Sequence, residues 1–223
     1  MASLENDNST ENDNSTRQRL LNAAGDCFSE EGFHGATVRE ISQRAGANVA
    51  AVNYHFGDKY KLYEAVLLEA MNYAEYRFRA LGDQAATRGA AERLHDFVGA
   101  LLMGGLDPER PEWHCKLLCM EMADPGQALT TLYNESIRER LAMLTRIISE
   151  LLSPPGDERE IALLAFSVVG QGLFYMRSRQ MLPKMVPWLE LDRDDLEMLT
   201  AHITEFSLAA IEGRNRRKRR AGG

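Results

Sequence analysis

Two short helical patterns lie on either side of a single glycine, Gly46, in the segment from Thr37 to Tyr63. The first opens with a Thr-x-x-Glu capping box, in which the threonine hydroxyl accepts a backbone N–H at the helix N-terminus. The second runs from about Asn48 to Phe56. Because two helices joined by a glycine-containing turn can place side chains in the major groove of DNA, this segment predicts a helix-turn-helix head.

Apolar residues recur at steps of three and four along most of the remaining chain, which is the period of an amphipathic helix. The last such segment spans about 192–213, and no alternating strand pattern of useful length occurs. We therefore predict an all-α fold of about nine helices. A three-helix DNA-binding head would occupy residues 17–62, and a helical ligand-binding and dimerisation domain would occupy residues 63–213.

The two ends of the chain differ in composition from the domains between them. A tandem ENDNST repeat fills most of residues 1–16, and a sequence so polar cannot bury apolar surface, so we predict a disordered tail. Residues 214–223 begin with six basic residues in seven positions. We predict a flexible basic tail there, which is either solvated or an accessory contact for DNA phosphates.

The formal net charge of −7 argues against a nucleic-acid partner only if it is spread evenly. Residues 17–61 carry six basic and five acidic side chains, so the acidity lies elsewhere. A nearly neutral head can bind DNA when its few cations and helix N-termini converge on phosphates. The sequence has no signal-peptide pattern and no uninterrupted apolar run of ~18 residues, so we expect a cytoplasmic protein that does not bind membranes.

The string TVREISQRAGANVAAVNYHFGDKYKLY, from Thr37 to Tyr63, resembles the DNA-binding signature of the TetR family. The matching residues are Thr37, Ile41, Ala45, Gly46, Tyr54, His55, Phe56, Lys59 and Leu62. The resemblance implies a homodimeric repressor that binds a pseudo-palindromic operator in double-stranded DNA and is released by a small molecule. Two positions depart from the pattern: Val49 stands where many relatives carry a cation, and Asn53 replaces a frequent aromatic residue.

Nine residues of the head are candidate DNA contacts on this resemblance. They are Thr37, Arg44, Asn48, Ala50, Ala51, Asn53, Tyr54, His55 and Lys59. We expect Asn53 to pair with adenine and the alanine methyl groups to contact thymine. Thr37 would present its hydroxyl and the helix-terminal amides to a phosphate. Tyr54 and His55 have an alternative role, as a partly buried pair that fixes the recognition helix to its neighbours.

The body resembles the CecR-like subgroup of the same family in two further strings, CKLLCMEMADPGQAL at 115–129 and SVVGQGLFYMRSR at 167–179. The resemblance implies that the helices at 157–179 and 192–213 build a four-helix bundle between two copies of the chain. For the last helix, the alternative is a purely intrachain core helix.

A ligand pocket between the middle helices needs apolar walls with a few convergent polar groups. Nine candidate lining residues have these properties: Trp113, His114, Met120, Glu121, Tyr133, Gln171, Phe174, Tyr175 and Arg177. Each aromatic residue among them has the alternative of an ordinary core position. For Glu121 and Gln171, the alternative is a hydrogen bond to a neighbouring backbone group or arginine. His114, Cys115 and Cys119 have a helical spacing that could hold a soft metal, but only the two cysteines share a face, so we predict no metal and no cofactor.

Two other functional classes are weighed against the regulator. An enzyme is disfavoured because the chain has no phosphate-binding glycine loop, no His-Glu-x-x-His pair and no Gly-x-Ser-x-Gly elbow. An adaptor that keeps the fold but has lost sequence-specific DNA binding is compatible with Val49 and with the low charge of the head. The expected class is a ligand-responsive regulator that is not an enzyme.

Overall fold

The computed structural model describes residues 4–84, 88–124 and 126–221, and within these ranges every regular element is a helix. The all-α prediction is confirmed, with ten helices in the described ranges where about nine were expected. The helices are α1 Leu4–Gly35, α2 Val38–Arg44, α3 Val49–Phe56, α4 Lys59–Gln84, α5 Ala90–Leu106, α6 Glu112–Ala123, α7 Gln127–Leu151, α8 Glu158–Ser178, α9 Leu182–Met185 and α10 Arg193–Ala221.

The helix-turn-helix forms where the sequence predicts it. The backbone N–H of Glu40 donates to Oγ1 of Thr37 over 3.2 Å, so Thr37 is the N-cap of α2. Gly46 turns the chain between α2 and α3 at a φ of 59°, and Gly57 ends α3 at a φ of 87°. Both angles lie in the left-handed region, which glycine adopts without the steric cost that a Cβ imposes.

Both ends of the chain are more helical than predicted. α1 begins at Leu4, so the described part of the ENDNST repeat is helical, and Gly32 interrupts this helix near its C-terminal end. α10 likewise continues through the basic run to Ala221. The physical reason is that a helix already held by tertiary packing gains one hydrogen bond for each residue added, without a new nucleation cost.

The structure divides into two compact units, Met1–Met71 with Pro111–Thr130, and Asn72–Arg110 with Thr131–Gly223. The first unit therefore contains the predicted head together with the first half of α4 and the whole of α6. This grouping differs from the predicted boundary at residue 62. The sequence pattern could not reveal it, because α6 is separated from the head by about 50 residues of chain.

The core of the first unit is centred on the apolar face of α1. Leu20, Leu21, Ala24 and Phe28 are all buried there. On the same helix, Gly25 allows the ring of Trp113 from α6 to lie so close that a Cβ at this position would overlap the indole. α6 is therefore packed against α1 through a glycine and a large aromatic side chain.

The core of the second unit surrounds α5. Its buried side chains pack with those of α10, which places Leu196, Leu199 and Ile203 in the core. The faces of α8 and α10 that point away from this core are exposed. Phe166 lies on the exposed face of α8 and Phe206 on that of α10. α10 is thus a core helix on one side, and its other side is exposed and carries Phe206.

One helix in the described residues, α8 at Glu158–Ser178, is long and apolar enough to cross a membrane by length and composition. Only 17% of its most apolar window is buried within the protomer. A single helix that meets these criteria is weak evidence for a membrane span.

Candidate nucleic-acid interface

One face of α3 is exposed and carries four of the residues that could contact bases. Val49, Ala50, Asn53 and Tyr54 are all exposed, whereas Val52 on the opposite face is buried. The exposed positions follow the helical repeat of one and four residues, so they lie on a single side of α3. Such a short helix with a continuous exposed face has the geometry needed to enter a major groove.

Asn48 lies at the N-terminus of α3 and not within it. Its Oδ1 accepts the backbone N–H of Ala50 over 3.0 Å, which makes Asn48 the N-cap of the helix. The side-chain oxygen is therefore engaged in the cap, and the amide nitrogen is the group that Asn48 can offer to DNA. Ala51 is only partly exposed.

Tyr54 and His55 are neighbours in sequence but occupy different environments. Tyr54 as a whole residue is 76% exposed, whereas the side chain of His55 is 6% exposed. Nε2 of His55 lies 3.6 Å from Oδ1 of Asp13 on α1, and its ring contacts Tyr54 edge-on. This placement agrees with the packing role for His55 but not for Tyr54, which is accessible to solvent.

The candidate cations of the head are engaged within the protein. Arg44 donates to Glu30 and to Glu40, each over 2.8 Å, and these hydrogen bonds raise the pKa of its guanidinium. Nζ of Lys59 lies 4.7 Å from the centre of the Phe33 ring. Arg44 therefore sits between two carboxylates that offset its charge, which weakens its candidacy as a phosphate contact.

Two exposed residues of α2 were missed by the sequence analysis. Arg39 and Gln43 lie one helical turn apart on the outer side of α2, whereas Ile41 is buried. Thr37, at the start of the same helix, is also exposed. The four-residue spacing from Arg39 to Gln43 was the available signal, and we add both residues to the candidate interface.

A second group of candidates lies in the first unit but away from this face. Trp113 and His114 are buried, and Met120 is 38% exposed. The hydroxyl of Tyr63, on α4, donates a hydrogen bond to the carboxylate of Glu121 on α6.

The Glu121 carboxylate is buried and also accepts the backbone N–H of Gly126, over 3.1 Å. Burial, together with the hydrogen bond to Glu121, raises the pKa of Tyr63 above its usual value, so the phenol remains neutral. Glu121 is thus part of a buried hydrogen-bond network that joins α4 to α6.

The remaining pocket candidates belong to the second unit. Nε2 of Gln171 donates to the carbonyl of Ser167 over 3.2 Å and reaches Oγ of Ser207 on α10 at 3.5 Å. Phe174 is 58% exposed and its ring contacts Tyr175 edge-on. Arg177 is exposed as well, whereas the side chain of Tyr133 lies outside the described residues. Phe174 therefore fits an outward-facing surface of α8 better than a pocket wall.

The cysteines were considered as ligands of a metal ion. In the part of the chain that the structure describes, no three His, Cys, Asp or Glu side chains are grouped so that they could hold a metal ion. Cys27 and Cys115 are buried, and Cys119 is partly exposed. Burial raises the pKa of Cys27 to about 11, so its thiol is protonated and unreactive at neutral pH.

Comparison with known proteins agrees with these features. The model of bacterial regulatory proteins of the tetR family matches residues 20–66. The model of the C-terminal domain of the HTH-type transcriptional dual regulator CecR matches residues 90–211.

Similar proteins cover the chain to different extents. CecR from Shigella flexneri is 23% identical over 209 residues, which cover 90% of this chain and 93% of CecR. The transcriptional repressor AcnR from Corynebacterium efficiens is 35% identical over 99 residues, 44% of this chain and 45% of AcnR, so less than half of AcnR is matched. The crystal structure of FadR from Bacillus subtilis in complex with stearoyl-CoA has a TM-score of 0.61 at 16% identity, covering 87% of this chain and 98% of FadR.

Proposed function

The chain belongs to the TetR family of bacterial regulators, with a C-terminal domain of the CecR type, and on this basis we propose that it is a dimeric repressor that releases its operator when a small molecule binds. The observation that carries the DNA-binding part is the exposed face of α3, formed by Val49, Ala50, Asn53 and Tyr54. AcnR, which is similar over 99 residues, is named a repressor, and this name supports repression rather than activation.

Base reading is assigned to two of these side chains. The amide of Asn53 can form paired hydrogen bonds with an adenine, and the methyl group of Ala50 suits a thymine methyl group. Thr37 and the N-terminus of α2 would take a phosphate. This chemistry predicts an operator in which the α3 contacts favour A·T pairs.

Dimerisation is assigned to the uncovered faces of α8 and α10. Leu163, Phe166 and Phe174 on α8 are between 58% and 60% exposed, and Phe206 on α10 is 61% exposed. Burying this apolar surface against a second copy would stabilise the dimer by roughly 25 cal/mol for each Å² of apolar surface removed from water. Two heads in one dimer would then meet half-sites about one DNA turn apart.

The effector response is assigned to a two-state equilibrium of the dimer. A ligand shifts that equilibrium only if it binds the operator-incompetent state more tightly. The Tyr63–Glu121 hydrogen bond links α4 to α6, and α4 continues from the head into the second unit. A ligand that displaces α6 would break this link and move α4, which makes α4 the carrier of the signal.

No catalytic role enters this function, and we assign the protein to the cytoplasm, where operator DNA is accessible. The decisive experiment selects duplexes from a random library with the full-length protein and then measures operator affinity by fluorescence anisotropy at several salt concentrations. A pseudo-palindromic, salt-sensitive site is expected. Equal affinity for the selected and scrambled duplexes would reject the repressor and favour an adaptor.

Two further measurements test the dimer and the effector. F166R should yield a monomer in light scattering and lose operator affinity, whereas Y76R, at an exposed position of α4, should remain dimeric. A ligand screen should begin with acyl-CoA thioesters, because FadR was solved with stearoyl-CoA. The expected effector raises the melting temperature and lowers operator affinity.

A further inference from the structure

The end of α10 combines a firm anchor with a freely exposed basic segment. The guanidinium of Arg214 donates to both carboxylate oxygens of Glu160, over 2.8 and 2.6 Å. Asn215 accepts the backbone N–H of Ser153 over 2.9 Å and donates to the carbonyl of Leu151 over 2.9 Å. Arg214 and Asn215 are buried, so they hold α10 against the connection between α7 and α8.

Beyond this anchor lie five consecutive cations, Arg216, Arg217, Lys218, Arg219 and Arg220, which we call the basic tip. All five are exposed, and they remain helical. Within the described residues, Arg216 of the basic tip forms an ion pair with Glu212, in which a guanidinium nitrogen lies 3.6 Å from a carboxylate oxygen. The basic tip therefore has four further cations available to an external partner.

The arrangement of these charges limits the kind of partner. Successive residues of a helix are turned by about 100°, so five in a row place cations on every side of the tip. An amphipathic helix that enters a protein groove or a membrane interface needs an apolar face, and the tip has none. A polyanion with closely spaced charges fits, and duplex DNA carries one charge per roughly 1.7 Å of its axis.

We propose that the basic tip binds the phosphate backbone of duplex DNA without sequence preference, as a contact additional to those of the head. The tip belongs to the second compact unit and the head to the first, so the two contacts can be removed separately. The tip contributes affinity for any duplex, whereas the α3 face selects the operator sequence. The inference concerns non-specific binding and does not depend on repression or on an effector.

The test compares two full-length variants that remove the same amount of charge. One is R217Q/K218Q/R219Q/R220Q, which retains Arg214, Asn215 and helix-favouring side chains. The matched control is R138Q/R146Q/R159Q/K184Q, which removes four exposed cations elsewhere in the same unit. Circular dichroism should give the same helix content for both.

Affinity for an operator-free duplex is measured by anisotropy as the NaCl concentration rises. Each phosphate contact contributes about 0.9 to the slope of log K against log salt, so the tip variant of a dimer should lose up to about 7 from that slope. The slope of the control variant R138Q/R146Q/R159Q/K184Q should change little. Equal slopes for the tip variant and the control would overturn the proposal, as would a slope change seen with single-stranded RNA but not with duplex DNA.

Two additional variants keep the result interpretable. R217K/R219K/R220K retains the charge and should retain the wild-type slope, and its failure to do so would reject a purely electrostatic contact. N53A/Y54A alters the head, so it should abolish operator selection while the tip-dependent slope persists. Persistence of the tip-dependent slope in N53A/Y54A would support the proposal, and its loss would show that the slope depends on the head and would overturn the proposal.

Discussion

The hydroxyl of Tyr63 donates a hydrogen bond to the buried carboxylate of Glu121, and this contact joins α4 to α6 within the unit that contains the DNA-binding head. The two residues are separated by 58 positions in the sequence. Glu121 was predicted to line a ligand pocket, and in the structure its buried carboxylate accepts hydrogen bonds from Tyr63 and from the backbone N–H of Gly126.

Y63F should lower the free energy of unfolding by about 1–3 kcal/mol, because it removes a donor from a buried carboxylate and leaves the ring packing intact. The measurement is urea denaturation followed by circular dichroism. Y76F is the matched control, since Tyr76 is 80% exposed and should tolerate the change. Identical midpoints for Y63F and the wild type would show that the hydrogen bond contributes nothing to stability.

G25A should destabilise the first unit by about 1–3 kcal/mol, since the new methyl group would overlap the buried ring of Trp113. W113A in the same chain should relieve the overlap, so the double variant is expected to be less unstable than the two single changes added together. G213A is the control in α10, where the methyl group would meet only the flexible end of Arg217, at 3.7 Å. Strict additivity of the G25A and W113A effects would contradict the close contact between the two residues.

N53A should weaken operator binding by about 1–3 kcal/mol and relax the sequence preference at one base pair in each half-site. V49R should act differently, because an added cation at the start of α3 would meet a phosphate. It should raise affinity for every duplex and increase the salt slope by about 0.9 per protomer. V49A controls for the loss of the valine. Unchanged specificity in N53A would remove Asn53 from the base-reading face.

The Glu160–Arg214 ion pair predicts a dependence of stability on pH. The hydrogen bond from Arg214 holds the pKa of Glu160 below its ordinary value of 4.5. A carboxyl with a lowered folded-state pKa stabilises the protein above its unfolded-state pKa, and this contribution is lost as pH falls through the folded-state value. The difference in stability between the wild type and E160Q should therefore be constant near neutral pH and shrink below about pH 4.5.

Chemical denaturation at several pH values, at one protein concentration, checks this expectation. E139Q, at an exposed position of α7, serves as the control because Glu139 is not part of the Arg214 anchor. If the difference in unfolding free energy between the wild type and E160Q stays the same from neutral to acidic pH, ionisation of Glu160 is not the source of that difference.

The helix-turn-helix could be predicted closely because its signals are local. The hydroxyl of Thr37 caps α2, and Gly46 and Gly57 turn the chain at the expected positions. Asn53 and Tyr54 are exposed, as a reading face requires. Local reasoning could not show that Arg44 pairs with Glu30, because Glu30 lies fourteen residues earlier in another helix.

The sequence alone determined the helical class, the recognition helix and the family, since helical period, capping and turn chemistry act over a few residues. Only the tertiary structure decided that α6 packs with the head and that Trp113 rests on Gly25. It also decided that Phe174 faces outward and that Arg214 is an anchor while Arg217 to Arg220 are exposed. These outcomes depend on which helices pack against one another, and a side chain's burial and partners are set by that packing rather than by its neighbours in the chain.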